Sequence, residues 1–259
     1  MMSIDPIASK KISPHYYFYI EKSNFIIKIA DKENEILEAQ RLRKKVFSQV
    51  ASSFNQNDID ADDYDLNADH LIVIDKTTQN IVGTYRFLLS DKVTKHYSSR
   101  EFDLTEFLKL PGRKMELGRA SVDPSARAGV IITLLWRGIA EYLKITKSEY
   151  MFGCSSMWDL TSEDILSVCE VLIRKDLVSN VYVKPLESHK PKFNLKASSS
   201  PEVDEEIIYD LIPTLVKTYI HVGSKFTLPP AYDSKLGTYE FFGYVETKNI
   251  DPAFKKKYL

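Results

Sequence analysis

Two short runs rich in aromatic and β-branched residues, 16–20 and 25–29, flank the polar tetrapeptide EKSN and predict two strands around a turn. Residues 32–50 follow, with Ile36, Ala39, Val46, Phe47 and Val50 at offsets of three, four and seven, the spacing of an amphipathic helix. Arg43 falls inside that apolar stripe, whereas Arg41, Lys44 and Lys45 lie off it. A cation on an apolar face is the informative exception. Beyond the acidic loop NQNDIDADDYDLNAD, the segments HLIVID, KTTQN and IVGTYRFLL predict strand, turn, strand. A short helix is expected over 102–109, a strand over 114–122, and a helix over 128–144 with Ile131, Leu134, Leu135, Gly138, Ile139 and Tyr142 on one side. EYMFGCSSM predicts a further strand, and Ser162 caps a helix that runs through Arg174. Residues 181–206 are rich in Pro, Ser and Lys and predict a long loop, with 185–206 a loop or flap and not a domain linker. IIYDLIPTLVKTYIHVG predicts helix, with Pro213 a start or kink and Gly223 a stop. TYEFFGYVET is a last strand, and KKKYL a solvated end. This order predicts one mixed α/β (α+β) sheet domain over residues 1–259.

Charge and composition narrow the function. A net charge of -1 and a pI near 6.5 give no electrostatic case for nucleic acid. Two cysteines, Cys154 and Cys169, supply neither a disulfide framework nor metal-ligand spacing. No run reaches the roughly 18 apolar residues of a membrane span, and the first twenty residues have no apolar core of signal-peptide length, so a cytoplasmic location is expected. DIDADDYD sets Asp58, Asp60 and Asp62 at alternate positions but has Asp63 and Asp69 where a calcium loop needs glycine and glutamate, so no metal site is expected.

The segment MELGRASVDPSARAG raises the chemical question. Glu116 and Arg119 are three apart, so a regular strand sends them to opposite faces. Gly118 between them suits a bulge that re-aims its neighbours into one cleft. A surface ion pair on an edge strand fits the local pattern equally well. PSARAG then opens a helix, whose first N–H groups and positive dipole end favour a phosphate, with Arg127 adding charge and Gly129 allowing close approach. An ordinary strand-to-helix turn has the same local pattern.

A central bulged strand, an Arg/Gly turn and a helix resemble the donor-binding core of the GNAT acyltransferase superfamily. AQRLRKKVF, DADDYDLNADHLIV, VGTYRFL, MELGRASVDPSAR, LLWRGIAEY and YMFGCSS occur in that order over residues 39–156. Together with LIPTLVKTYIHVG and PPAYD they resemble the acyl-homoserine-lactone synthases and, most of all, the ornithine N-acyltransferases of lipid synthesis. The resemblance implies a GNAT-like domain with a central mixed, mostly antiparallel twisted sheet flanked by helices. It implies Glu116 and Arg119 as catalytic residues, and Arg43, Phe47, Asp62, Asp65 and Arg86 as substrate-binding residues, all lining one cleft. Ser121, Val122, Arg127 and Gly129 would hold the donor's phosphopantetheine. The donor loop has Ala126 and Ile131 where the superfamily's coenzyme A loop has its Q/R and second glycine. That suits acyl carrier protein, whose arm has one phosphodiester, and implies no tightly bound cofactor.

The implied reaction moves a long, 3-hydroxylated acyl chain from acyl carrier protein to the α-amine of ornithine or a similar amino acid, forming a lyso-ornithine-type lipid. An acyl-homoserine-lactone synthase or another long-chain N-acyl amino acid synthase is the alternative within this resemblance, and a non-enzymatic carrier- or lipid-binding protein the alternative outside it. For the chemistry, Glu116 is the expected base, directly or through water. Asp62 and Asp65 form a wall that attracts a cationic amine. RLRKK with Arg113, Lys114, Lys144 and Lys147 reads either as solvated surface or as a docking patch for an acidic carrier protein, with peripheral association at the inner membrane face as a further expectation. His70 reads as a structural hydrogen-bond partner, Cys154 as a core thiol and Trp136 as packing.

Overall fold

A computed structural model describes residues 10–50, 58–126, 128–193 and 205–258. They fall into two compact units: the described residues up to Leu88 with Leu117–Lys147 and Tyr258, and Leu89–Glu116 with Ser148–Lys257.

The first unit begins with the hairpin β1 (Tyr19–Lys22) and β2 (Phe25–Ile29), then α1 (Glu33–Val50), β3 (Asp69–Asp75) and β4 (Ile81–Leu89, of which Leu89 falls in the second unit). β1, β2, β3 and β4 pair in that order, all antiparallel. Leu71, Ile72 and Val73 of β3 are buried residue after residue because helices cover them: α1 and α3 (Ala128–Thr146) both pack on β3. Gly138 of α3 lets the helix come close. A Cβ built there would lie 2.5 Å from Leu71 Cδ1 and 3.0 Å from Ile27 Cγ2, both in the core. The variant Gly138→Val is therefore expected to lose about 1–3 kcal/mol by overpacking, read as a lower thermal midpoint.

β6 (Lys114–Val122) starts in the second unit and ends in the first. In the second unit it pairs parallel with β7 (Tyr150–Met157), through Lys114↔Tyr150, Met115↔Met151 and Glu116↔Phe152, where the register ends. β7 pairs antiparallel along its length with β11 (Thr238–Glu246), which also carries β10 (Ala231–Asp233) and β9 (Lys225–Phe226). Alternation sorts the side chains of β7 and β11. Met157, Tyr239 and Phe241 join Ile165, Val168 and Leu172 of α4 (Ser162–Arg174) on one face. Tyr150, Phe152, Phe242 and Tyr244 join Phe102 and Phe107 on the other, where Phe107 meets Phe152 and Phe242 edge-on at 5.0 and 5.2 Å. Phe102 belongs to β5 (Phe102–Asp103), Phe107 to α2 (Thr105–Lys109), and β5 pairs with β8 (Lys184–Pro185).

The sheet class read from the sequence is the one observed, mixed and mostly antiparallel. Differences are local. Thr161, not Ser162, caps α4, through a reciprocal pair with Asp164. Pro213 separates α5 (Glu205–Leu211) from α6 (Thr214–Val222), and Gly223 stops α6 in the left-handed region at φ 104°. Part of the predicted flap forms β8, while residues 194–204 lie outside the description. KKKYL, expected as a solvated end, has Lys256 and Lys257 exposed in the last turn of α7 (Pro252–Tyr258), and Leu259 lies outside the described residues. Among the described residues no helix is long and apolar enough to cross a membrane.

Candidate active site

The first unit contains a network of three arginines and three aspartates. Arg43 is fully buried on α1. Its Nε donates to Asp60 Oδ2 at 2.7 Å, and its Nη1 and Nη2 reach both oxygens of Asp65 at 2.8 and 3.2 Å. Gln40, one turn earlier, donates to Asp65 at 3.1 Å. Asp62 and Asp65 are positioned by the one-turn 3₁₀ segment Asp63–Asn67, of which Asp62 is the N-cap and Asp65 the reciprocal partner. Arg86 on β4 donates to Asp62 at 2.5 Å and to Asp65 at 3.0 Å, with its guanidinium over the Tyr64 ring. Arg86 and His70 are cross-strand partners, so the β3–β4 register aims both at Asp65. Arg119 reaches Asp60 at 3.3 Å and Asp62 at 3.2 Å and lies over Phe47, which follows Arg43 by one turn.

This network accounts for the arginine on the apolar stripe: the charge is buried because it is paired on two sides. Burial alone would raise the pKa of Asp65, but Arg43, through hydrogen bonds and charge, and then Arg86 outweigh it and hold that carboxyl well below the usual carboxylate range. His70 shows the opposite balance. Its ring is buried, neither nitrogen makes a hydrogen bond among the described residues, and Asp65 Oδ1 is 3.9 Å from Nε2. Burial, against the pull of Asp65 and reinforced by Arg43 and Arg86, pushes its pKa down to about 4. The expected structural role of His70 is met by its main chain, whose carbonyl accepts from Ala30 N at 2.8 Å. Asp62 and Arg119 are the members that still meet solvent, with side chains 21% and 13% exposed.

Backbone irregularity occurs in β6 one residue later than the glycine suggested. Arg119 itself takes φ 55°, a left-handed conformation that costs a non-glycine residue energy and is held by its two carboxylate partners and Phe47.

Glu116 takes its partners in the second unit. It is buried, and Oε1 accepts from Ser98 N at 2.6 Å and Ser98 Oγ at 2.5 Å, while Oε2 accepts from Tyr97 N at 2.8 Å. These donors belong to the 3₁₀ turn Tyr97–Arg100, whose N-cap is His96. His96 Nδ1 is 3.4 Å from Glu116 Oε2, and the ring meets Phe152 edge-on at 5.2 Å. Cys154 is half-buried. Burial, then Glu101 and Glu240, push its thiol well above the ordinary range, which disfavours a thiolate nucleophile.

Of the residues expected to hold the donor, Ser121 is buried and Val122 half-buried at the end of β6, and Gly129 is exposed in the first turn of α3 with open space where a Cβ would be. Asp123 closes the turn by accepting from Ser125 N and Oγ and pairing with Lys45. Arg127 lies outside the described residues. In the expected basic patch Lys114 is a correction: it is buried, its ammonium donates to the carbonyls of Leu110 and Gly112, and burial lowers its pKa. Trp136 is buried in packing, as expected. Asp60, Gln40, His96 and Ser98 were not singled out as site members by the sequence. Asp60 was visible in the acidic run, whereas His96 and Ser98 reach Glu116 through contacts 18–20 residues apart that no local pattern reports.

Comparison with known proteins then fixes the family. Residues 42–137 match an acetyltransferase (GNAT) domain. An L-ornithine N(alpha)-acyltransferase from Rhizobium meliloti (strain 1021) is 30% identical over 230 residues, covering 78% of this chain and 73% of that protein. The chain belongs to the L-ornithine N(alpha)-acyltransferase family. Two other family members, from Rhodobacter capsulatus and Brucella abortus, are 28% identical over 77% of this chain and 81% of theirs, and 26% identical over 90% and 88%. In fold the chain is similar to FeeM, an N-acyl amino acid synthase from uncultured soil microbes, with a TM-score of 0.51 at 9% identity, covering 91% of this chain and 95% of that one. This family member is therefore an acyltransferase with a GNAT-like fold.

Proposed function

We propose that this acyltransferase moves a long, 3-hydroxylated acyl chain from the phosphopantetheine thioester of acyl carrier protein to the α-amine of ornithine or a similar amino acid. The product is a lyso-ornithine-type lipid. The observation that carries this reading is the match, over about three-quarters of the chain, to proteins named for that acceptor. The charge network supports it. Ornithine brings one carboxylate and two amines. Arg119, the partly exposed cation, suits the carboxylate, and Asp62, the partly exposed anion, suits an ammonium group. Behind them Asp60 pairs with Arg119 and Arg86 with Asp62, and Arg43 and Asp65 pair in turn with Asp60 and Arg86. Gly129, without a Cβ at the start of α3, supports close approach of a phosphodiester to the first N–H groups of that helix, with Ser121, Val122 and Arg127 as the other donor contacts.

Amide formation requires a neutral amine, attack on the thioester carbon, and departure of the thiolate. Binding the amino acid by its charged ends while its α-amine is left to react is what the Asp62 and Arg119 roles provide. Lipid extracts of cells expressing the chain, separated and weighed by mass spectrometry, test the proposal. A new lyso-ornithine lipid is the expected product, lost in Arg119→Ala. A new N-acyl species with another head group would reassign the acceptor. No new acylated amine at all would defeat the proposal.

A further inference from the structure

We propose that Lys45 is a positioning residue for the acyl donor: by neutralising Asp123 it lets the donor's phosphodiester reach the first turn of α3. The inference rests on the donor contacts proposed above and names a residue that none of them includes. Every residue it uses belongs to the first unit.

The turn between β6 and α3 needs a carboxylate. Asp123 N donates to Val82 O of β4 at 2.9 Å, and Asp123 O accepts from Ala126 N at 2.9 Å. Its Oδ1 accepts from Ser125 N at 2.8 Å and from Ser125 Oγ at 2.7 Å, so the side chain shapes the turn. Burial raises its pKa, but the Ser125 bonds and then Lys45 outweigh burial and hold the carboxyl below its ordinary value, so it is an anion at neutral pH. That charge is in the wrong place for the donor. Ala128, Gly129 and Val130 follow the turn, all exposed, and carry the first N–H groups of α3, to which the phosphodiester is assigned. A bare anion beside them repels the group that they attract.

Lys45 cancels that charge. It follows Arg43 by two residues on α1, about 200° round the helix, so the two cations face different ways. Arg43 serves the buried aspartates, and Lys45 reaches the turn: its Nζ lies 3.1 Å from Asp123 Oδ1 and 3.0 Å from Oδ2, covering both oxygens. The side chain of Lys45 is 52% exposed and that of Asp123 16%. An ion pair this open contributes little to folding. Its effect is on the local potential. With Lys45 the pair is neutral, and without it the turn presents one negative charge to an incoming phosphate, within the screening distance of about 10 Å at 0.1 M salt.

Four chains separate charge from packing: wild type, Lys45→Met, Asp123→Asn and the double variant. Asparagine retains an oxygen that accepts from Ser125, so Asp123→Asn keeps the turn and removes the charge. Relative to wild type the pair becomes negative in Lys45→Met, positive in Asp123→Asn, and stays neutral in the double variant.

The test measures turnover with ornithine and acyl carrier protein loaded with a 3-hydroxyacyl chain, and binding of free phosphopantetheine by amide NMR. In Lys45→Met the KM for the donor is expected to rise about 3–10-fold at about 0.05 M salt, and at about 0.5 M salt the difference is expected to close. The double variant is expected to return to the wild-type KM, and Asp123→Asn to fall below it. The kcat at saturating donor and the KM for ornithine are expected to stay within about two-fold throughout. A turn loosened by loss of an ion pair would instead raise the donor KM in both single variants. The same ranking is expected for free phosphopantetheine. A Lys45→Met chain with the wild-type donor KM overturns the inference, as does a double variant as weak as Lys45→Met. A ranking seen with the loaded carrier and not with the free arm also overturns it, and moves the effect to the carrier's own surface. A wild-type chain that acylates no amine overturns the functional reading instead. The phosphopantetheine titrations then still decide on Lys45, and equal affinities in the four chains overturn the inference there.

Discussion

Replacing Arg43 by methionine is expected to lower the unfolding free energy by about 3–5 kcal/mol, the effect of removing one partner from a buried ion pair. The side chain fills an apolar stripe position, so methionine restores most of the packing volume and leaves the charge as the main change. Asp60 loses its 2.7 Å donor and Asp65 loses two, and both carboxylates stay shielded, with side chains 4% and 6% exposed. Asp65 keeps Gln40 and Arg86, and Asp60 keeps Arg119 at 3.3 Å, so the network is weakened and not dissolved. Urea denaturation of the two chains measures the difference. The double variant Arg43→Met with Asp65→Leu is expected to recover part of the loss, since neither buried charge of that pair is then left behind. A single variant that unfolds at the parent's urea concentration would mean that solvent reaches these carboxylates, and that the burial argument is wrong.

Arg43 also shows how much a sequence can reveal. Its place on the apolar face was legible, because helical periodicity is local and a cation interrupts it visibly. The bounds of β2 and β6 and the end of α4 were legible for the same reason: local apolar patterns bounded by turn residues. The resemblance grouped Asp62, Asp65, Arg86 and Arg119 with Arg43, and a chain of direct ion pairs runs from Arg43 through Asp65, Arg86 and Asp62 to Arg119. What stayed hidden depends on distance along the chain. Lys114 looked like surface, but its ammonium is held by carbonyls of Leu110 and Gly112, a loop geometry that no periodicity encodes. The turn that carries His96 and Ser98 to Glu116 is a polar stretch with no motif, and it matters only because β6 passes beside it. Arg119, and not Gly118, took the left-handed conformation, because two carboxylates and a ring outweigh the backbone preference that favours glycine.

Acid is expected to destabilise the chain well before ordinary carboxylates titrate, and His70 is the reason. An exposed histidine in the unfolded chain takes a proton near pH 6.5, whereas burial holds His70 unprotonated in the fold down to about pH 4. Between these values the unfolded state binds more protons than the folded one, so stability rises with pH across the window and falls as pH drops through it. Over roughly two and a half pH units the loss is on the order of 3 kcal/mol. Asp65 adds to it lower down. Its carboxyl is held below its unfolded value, so its contribution is present above pH about 4 and declines as pH falls beneath that. The two groups separate in a variant. His70→Leu removes a ring whose nitrogens have no hydrogen bonds among the described residues, so it is expected to flatten the stability profile between pH 6.5 and 4. The steeper decline below pH 4, which belongs to Asp65 and its arginines, is expected to remain. Thermal midpoints measured at half-unit pH steps on both chains decide the matter. Parallel curves through the upper window would show that another group, and not His70, takes up the proton on unfolding.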